Sequence, residues 1–343
     1  MKKTAKISGV ALLVLLSFLI ATPTMAGDEK EFPIFHSKNE LEGFIKNHIE
    51  NINGRVGVYI KHLESNQVIS FREDETFQLA SVFKIPVLIT LFKQIYDGKL
   101  SPDDRIILTE RMKTYGSGLL SSMKPGLNLT IHDLALLMMA ISDNTATDIL
   151  FQIVGQESIM NYMKELGLKN TTIDYDTRAL ILDYLGLDPS NRLTIAELNH
   201  LPESFWTEKA RLERQKAFEK SNHNTSTPKE IALLLEKCIK GEIINKEISE
   251  EILGIMKHHT GAELILRYLP MSTEIARKGG SLAKNGENTV LNDAGVIWLP
   301  SNAGTMIICM FGNDLREIHY ELKDKLGRIA RAAYDYFVNL RRK

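Results

Sequence analysis

The sequence predicts an α+β fold: one antiparallel sheet with flanking helices, built from both ends of the chain, and an all-helical lobe inserted between them. Three observations predict it. Strand-like runs occur early, at residues 56–60 and 68–71, and again late, at 274–278, 295–299 and 305–311. Between them, from about residue 108 to 239, apolar residues recur at helical rather than alternating spacing. The late strands follow one another closely, as hairpin-linked antiparallel strands do, whereas parallel pairing needs long crossovers.

Each element has its own local reason. Residues 39–53 carry Leu41, Phe44, Ile45, Ile49 and Ile52 at helical spacing, and Gly54 closes the run. Two strands follow, joined around Glu64-Ser65-Asn66. Ser81 opens a run to Tyr96 that is apolar nearly all round, the mark of a helix buried inside the protein. Pro86 stands near its start, where it removes few internal hydrogen bonds. Further helices are expected at 130–141, 145–154, 158–166 and 229–239, with Thr130 and Asp133, and Thr227-Pro228, as starts. A closing helix runs over 315–340. This gives a sheet lobe from 27–80 and 245–343, and a helical lobe from 81–244.

Composition limits the function. The 343 residues, 44% hydrophobic and 25% charged, suit one two-lobed globular domain. With 42 basic and 43 acidic residues and no concentrated positive face, a nucleic-acid partner is not expected. Cys238 and Cys309 each lie in an apolar stretch and read as buried free thiols, although an exported chain permits a bridge. Lys2, Lys3 and Lys6, the apolar run 10–21 and Thr24-Met25-Ala26 read as a signal peptide over residues 1–26. An exported protein follows, periplasmic or secreted and a monomer, with no stable membrane insertion once the leader is gone. An uncleaved anchor is the alternative, but the apolar run is short and Pro23 ends it. His258, His259 and Glu263 are the nearest approach to a metal cluster. No further ligand appears at a familiar spacing, so neither metal nor cofactor is expected.

The chemistry concentrates in three segments. Ser-x-x-Lys occurs four times, beginning at Ser81, Ser121, Ser226 and Ser281. Ser121 runs into the turn Pro125-Gly126, Ser226 into the helix start Thr227-Pro228, and Ser281 ends a glycine-rich strand. Only Ser81 opens a long buried helix, where a lysine three residues on shares its face. A serine hydroxyl is a poor nucleophile until a base takes its proton, and a lysine is that base only when burial favours its neutral form. Alone, the pair reads as well as a cap and a surface lysine. Ser142-Asp143-Asn144, at the end of the apolar run 134–141, reads alone as the N-cap of the next helix. Lys278-Gly279-Gly280-Ser281 reads as a tight bend or a strand end that admits a ligand to its backbone.

Together, in this order, these segments resemble the signature set of class A β-lactamases and penicillin-binding proteins. The resemblance extends through Phe77-Gln78-Leu79-Ala80-Ser81-Val82-Phe83-Lys84, the stretch from Pro125 to Thr147, and residues 292–300. It implies that Ser81 attacks an acyl carbonyl, Lys84 activates it and Ser142 relays a proton to the leaving nitrogen. It implies further that Asn144 binds a substrate amide, Lys278 supplies charge for a substrate carboxylate, and the N–H groups of Ser81 and Ser281 form an oxyanion hole beside Gly280. The implied partner is a small β-lactam, or an acyl or peptide substrate.

Two positions depart from the pattern. Gly279 stands where the family carries Thr or Ser, and so lacks a hydroxyl. The deacylating glutamate of Glu-x-x-Leu-Asn is missing, because the nearest match, Ile195-Ala196-Glu197-Leu198-Asn199, begins with isoleucine. Glu197, Asp174 and Asp176 are the candidate substitutes. A D,D-peptidase or esterase, a slowly deacylating penicillin-binding protein and a sensor acylated once therefore stay open beside hydrolysis of β-lactams.

Overall fold

The computed structural model describes residues 32–340, apart from 262–263, 285–286 and 318. The expected leader, 1–26, and Glu263 lie outside the described residues. Five strands form one sheet: β1 (Arg55–His62), β2 (Gln67–Phe71), β3 (Glu274–Lys284), β4 (Glu287–Leu299) and β5 (Gly304–Asn313). Their order is β2-β1-β5-β4-β3, and every neighbouring pair is antiparallel. The expectation of one antiparallel sheet built from both chain ends is met.

The late strands run longer than their apolar segments. Gly279, Gly280, Asn292 and Asp293 look like strand terminators in sequence, yet Gly279 pairs with Asp293 and Gly280 with Asn292 inside the ladder. In β5, Ile307, Cys309 and Phe311 belong to one hydrophobic core while Met306, Ile308 and Met310 belong to another. Alternate side chains point to opposite faces, and a strand covered on both faces reads as an unbroken apolar run. Cys309 and Cys238 are unpaired and buried.

Helix α1 (Lys38–Glu50) covers one face of the sheet. The middle of the chain supplies α2 (Lys84–Tyr96), α3 (Ile131–Ala140), α4 (Asn144–Val154), α5 (Gln156–Glu165), α6 (Thr177–Tyr184), α7 (Ile195–Asn199), α8 (Glu208–Phe218), α9 (Pro228–Lys240) and α10 (Lys246–Met256). All of these but α7 contribute to the core on the other face. The closing helix α11 (His319–Leu340) packs beside α1. Thr130 and Asp133 form a reciprocal capping box, and Thr227 caps α9 through the Glu230 N–H. None of the described helices is long and apolar enough to cross a membrane.

Helix α2 is the axis of the helical core, buried at every position from Lys84 to Phe92. Full burial of a side chain such as Leu88 or Leu91 contributes roughly 1.5–3 kcal/mol. Its start differs from the sequence reading: regular α geometry begins at Lys84, and Ala80–Phe83 is a 3₁₀ turn. Pro86 has no N–H for the Val82 carbonyl and crowds it, so it fits only in the first turn of a helix that begins after Ser81.

Candidate active site

Ser81 owes its position to a strained turn. The short strands Phe77–Gln78 and Thr225–Ser226 pair, and the Leu79 N–H donates to the Asn224 carbonyl at 2.8 Å. The chain then turns through Ala80, whose φ of 44° is left-handed for a residue with a Cβ. Such conformations cost of order 1–3 kcal/mol and persist where their surroundings over-determine them. Strand β3 is part of those surroundings. A Cβ on Gly280 would sit 2.8 Å from the Leu79 oxygen and 2.8 Å from the Ser81 nitrogen. Only glycine lets the two backbones meet this closely.

Lys84 lies beneath this turn with no exposed surface. Its Nζ donates to the Ser142 carbonyl at 2.8 Å, Ser142 Oγ at 3.0 Å and Asn144 Oδ1 at 2.9 Å. Burial lowers its pKa to about 7, against the opposing charges of Asp148 and Asp143. A buried amine near neutrality, fixed against a hydroxyl, is equipped to accept a proton. Ser142 has a φ of 57°, a second strained residue in the same cluster.

The triplet at 142–144 divides its duties. Asp143, not Ser142, caps α4: it accepts from the Ala146 N–H at 2.9 Å, and from Leu119 and Leu120 N–H at 2.7 and 2.9 Å. That leaves Ser142 and Asn144 for the cleft. Ser117, which the sequence reading missed, donates to the Ser142 carbonyl at 2.7 Å and to Asn144 Oδ1 at 3.1 Å. Asn144 Nδ2 donates to the Tyr115 carbonyl at 3.0 Å. The Gly116-Ser117-Gly118 segment carries no periodic pattern that marks it in sequence.

Lys278 is also fully buried, and its Nζ donates to the Gly279 carbonyl at 2.6 Å. Burial, and then the charge of Lys84, hold its pKa well below the usual lysine range. Its neighbour Arg277 pairs with Asp293 at 2.8 Å in the sheet interior. His259 lines the cleft. His259 Nδ1 meets the Met139 carbonyl at 2.8 Å, and its Nε2 accepts from the Gly279 N–H at 3.3 Å. This pattern requires the neutral ring, and burial, then Lys278 and Arg277, lower its pKa to about 3.

These segments enclose a cleft of ≈ 590 Å³ lined by Ser81, Ser142, Asn144, Lys278, Gly280 and Ser281, with Lys84 directly under it. Helix α6 forms an apolar wall through Leu180, Ile181 and Tyr184, with Thr177 at its start, and Lys323 of α11 lines the cleft as well. None of its described lining residues is Asp or Glu. The three carboxylates proposed from sequence lie elsewhere. Glu197 is tied in an exposed capping box with Thr194, Asp174 binds His223 and the Asn224 N–H, and Asp176 caps α6 and pairs with Arg192. Asp148, also off the lining, accepts from the Thr177 and Arg178 N–H groups, and burial, then Asp176, raise its carboxyl to about 7.

Residues 40–337 match the model of the β-lactamase enzyme family. The chain belongs to that family. Among similar β-lactamases, SME-1 of Serratia marcescens is 25% identical over 270 residues, covering 78% of this chain and 79% of its own. VEB-1 of Pseudomonas aeruginosa is 25% identical over 320 residues, covering 90% and 95%. The solved β-lactamase of Sphaerobacter thermophilus superposes with a TM-score of 0.69 at 26% identity, over 88% of this chain and 98% of that one. The solved structure of PBP-A, 23% identical, shares the fold at a TM-score of 0.69 over 90% of this chain and 100% of that one. The chain is a β-lactamase-like hydrolase with the family's mixed α+β fold.

Proposed function

We propose that this chain opens β-lactam amides through an acyl-enzyme on Ser81, in the manner of class A enzymes. The observation that carries the reading is Lys84: a fully buried amine 3.0 Å from the Ser142 hydroxyl, under the cleft that Ser81 lines. The neutral amine takes the Ser81 proton, and Oγ bonds to the lactam carbonyl carbon. The C–N bond then breaks, and the proton passes through Ser142 Oγ to the leaving nitrogen. The N–H groups of Ser81 and Ser281 hold the oxyanion, with Gly280 admitting β3 to that distance. Asn144 binds the acyl side-chain amide. Lys278 lies at the carboxylate end, and burial disfavours a proton on Lys84.

Release of the acyl group requires an activated water, and loss of a positioned base costs about 10²–10⁴-fold in the step it serves. The absence of a carboxylate among the described lining residues favours a long-lived acyl-enzyme. A penicillin-binding trap, or a D,D-peptidase or esterase, is therefore the second reading. We also propose export, with residues 1–26 removed, and a monomeric protein of one domain, its sheet lobe over 27–80 and 245–343 and its helical lobe over 81–244.

Intact-mass measurement of the mature protein mixed with benzylpenicillin, followed over time, tests this. An adduct on Ser81, absent from Ser81→Ala, is expected. No adduct with any β-lactam defeats the reading, while rapid clearance of the adduct defeats the trap.

A further inference from the structure

We infer that Ser117 is a positioning residue that acts through Lys84: its hydroxyl donates to the same two oxygens that hold the amine, and so loosens their hold on the amine's protons. The inference rests on reading Lys84 as the base that activates Ser81. It gives a role to a residue outside every segment that carries the family resemblance.

The geometry is a matched pair of donors. Lys84 Nζ donates to the Ser142 carbonyl at 2.8 Å and to Asn144 Oδ1 at 2.9 Å. Ser117 Oγ donates to the same carbonyl at 2.7 Å and to the same Oδ1 at 3.1 Å. Lys84 is fully buried, whereas Ser117 is exposed and lines the cleft. The backbone fixes this arrangement, because the Asn144 N–H donates to the Ser117 carbonyl at 2.9 Å. A serine hydroxyl has a single hydrogen, and here these two oxygens engage it, so toward a substrate Ser117 is left as an acceptor only.

The sharing has a definite electrostatic sign. Hydrogen bonds to the charged form of a group favour that form, so the two oxygens favour the ammonium of Lys84. The positive end of the Ser117 hydroxyl dipole points at those same oxygens and opposes a second positive charge beside them. In a buried site such an effect is larger than in water. Burial already brings Lys84 to about 7, where a small bias decides its state at neutral pH. The charged groups that face Lys84 are Asp148 of α4 and Asp143 at its cap, which favour the ammonium, and Lys278 of β3, whose own charge Lys84 opposes. Ser117 is uncharged, so replacing it leaves all three in place.

The test reads the amine both directly and through the reaction. The mature protein, Ser117→Ala and Ser117→Thr are compared by NMR titration of the lysine ε-carbons, with Lys84→Arg identifying the signal. Their acylation by a chromogenic cephalosporin is followed from about pH 5 to 9. Ser117→Ala should raise the midpoint of Lys84 by about half a unit to one unit, the worth of one net hydrogen bond. Acylation well below the midpoint should then fall about three- to tenfold, and the alkaline plateau should change by less than about twofold. Ser117→Thr keeps the hydroxyl and should match wild type in both measurements. A midpoint that stays or falls in Ser117→Ala overturns the inference. So does a rate lowered equally at every pH, which marks a purely structural role, or a threonine variant that behaves like alanine. If no β-lactam acylates the wild type, the reading of the cleft fails, while the NMR midpoints still decide the role of Ser117.

Discussion

The Nζ of Lys84 lies 3.0 Å from the hydroxyl of Ser142, a residue 58 positions away, and 2.8 Å from that residue's own carbonyl. Ser142, which makes both contacts, has a left-handed backbone with φ of 57°. The pair ties the buried helix α2 to the loop ahead of α4, and it sets the proton chemistry of the cleft.

Acylation should depend on pH through Lys84. Its folded-state value of about 7 means the amine is protonated below that pH and free above it. The second-order acylation rate should therefore rise as pH increases from 5 to 7, about tenfold per unit well below the midpoint, and level off above it. Stopped-flow measurement with a chromogenic cephalosporin checks this. A flat profile over that range removes Lys84 as the base.

Two adjacent glycines should differ in their tolerance of a side chain. A Cβ at 280 would stand 2.8 Å from backbone atoms of the Ser81 turn, whereas at 279 the nearest atom is His259 Nε2 at 3.5 Å. Gly280→Ala should cost about 1–3 kcal/mol of stability and most of the acylation rate. Gly279→Ser should stay within about 0.5 kcal/mol of wild type. Thermal unfolding and adduct formation report both effects.

Thr177 offers a place to restore a missing base. It begins α6 and lines the cleft, where no described carboxylate is found. Thr177→Glu should shorten the life of the Ser81 adduct by about 10²-fold or more, the usual worth of a positioned base. The adduct half-life by mass spectrometry decides it, and an unchanged half-life means that this wall does not reach the hydrolytic water.

Asp143 should matter for folding more than for chemistry. Its carboxylate satisfies three backbone N–H groups, at Leu119, Leu120 and Ala146. Asp143→Ala should cost about 2–4 kcal/mol, combining a lost cap with orphaned donors. Urea denaturation provides the measurement; a loss below about 0.5 kcal/mol would contradict the anchoring role.

Much of the fold was legible because its signals are local. The period-2 and helical runs located the five strands and the main helices, and Thr130 and Thr227 marked helix starts that the structure retains. The strand ends were not legible, since Gly279 and Asn292 behave as strand residues only because partners across the ladder hold them. In the site, Ser81, Lys84, Ser142, Asn144 and Lys278 come together as their motif order implied. Ser117, Thr177, His259 and Lys323 carry no motif, and their proximity is created by tertiary packing alone. Glu197 caps its own short helix away from the cleft lining, and a short sequence pattern carries no information about which loop faces the cleft.

The close crossing of Gly280 over the Ser81 turn has a consequence for biogenesis. The nucleophile segment is made early and the strand that braces it is made late, so the contact between Gly280 and the Ser81 turn waits for the C-terminal strands. That is a long-range closure, which forms slowly compared with helices.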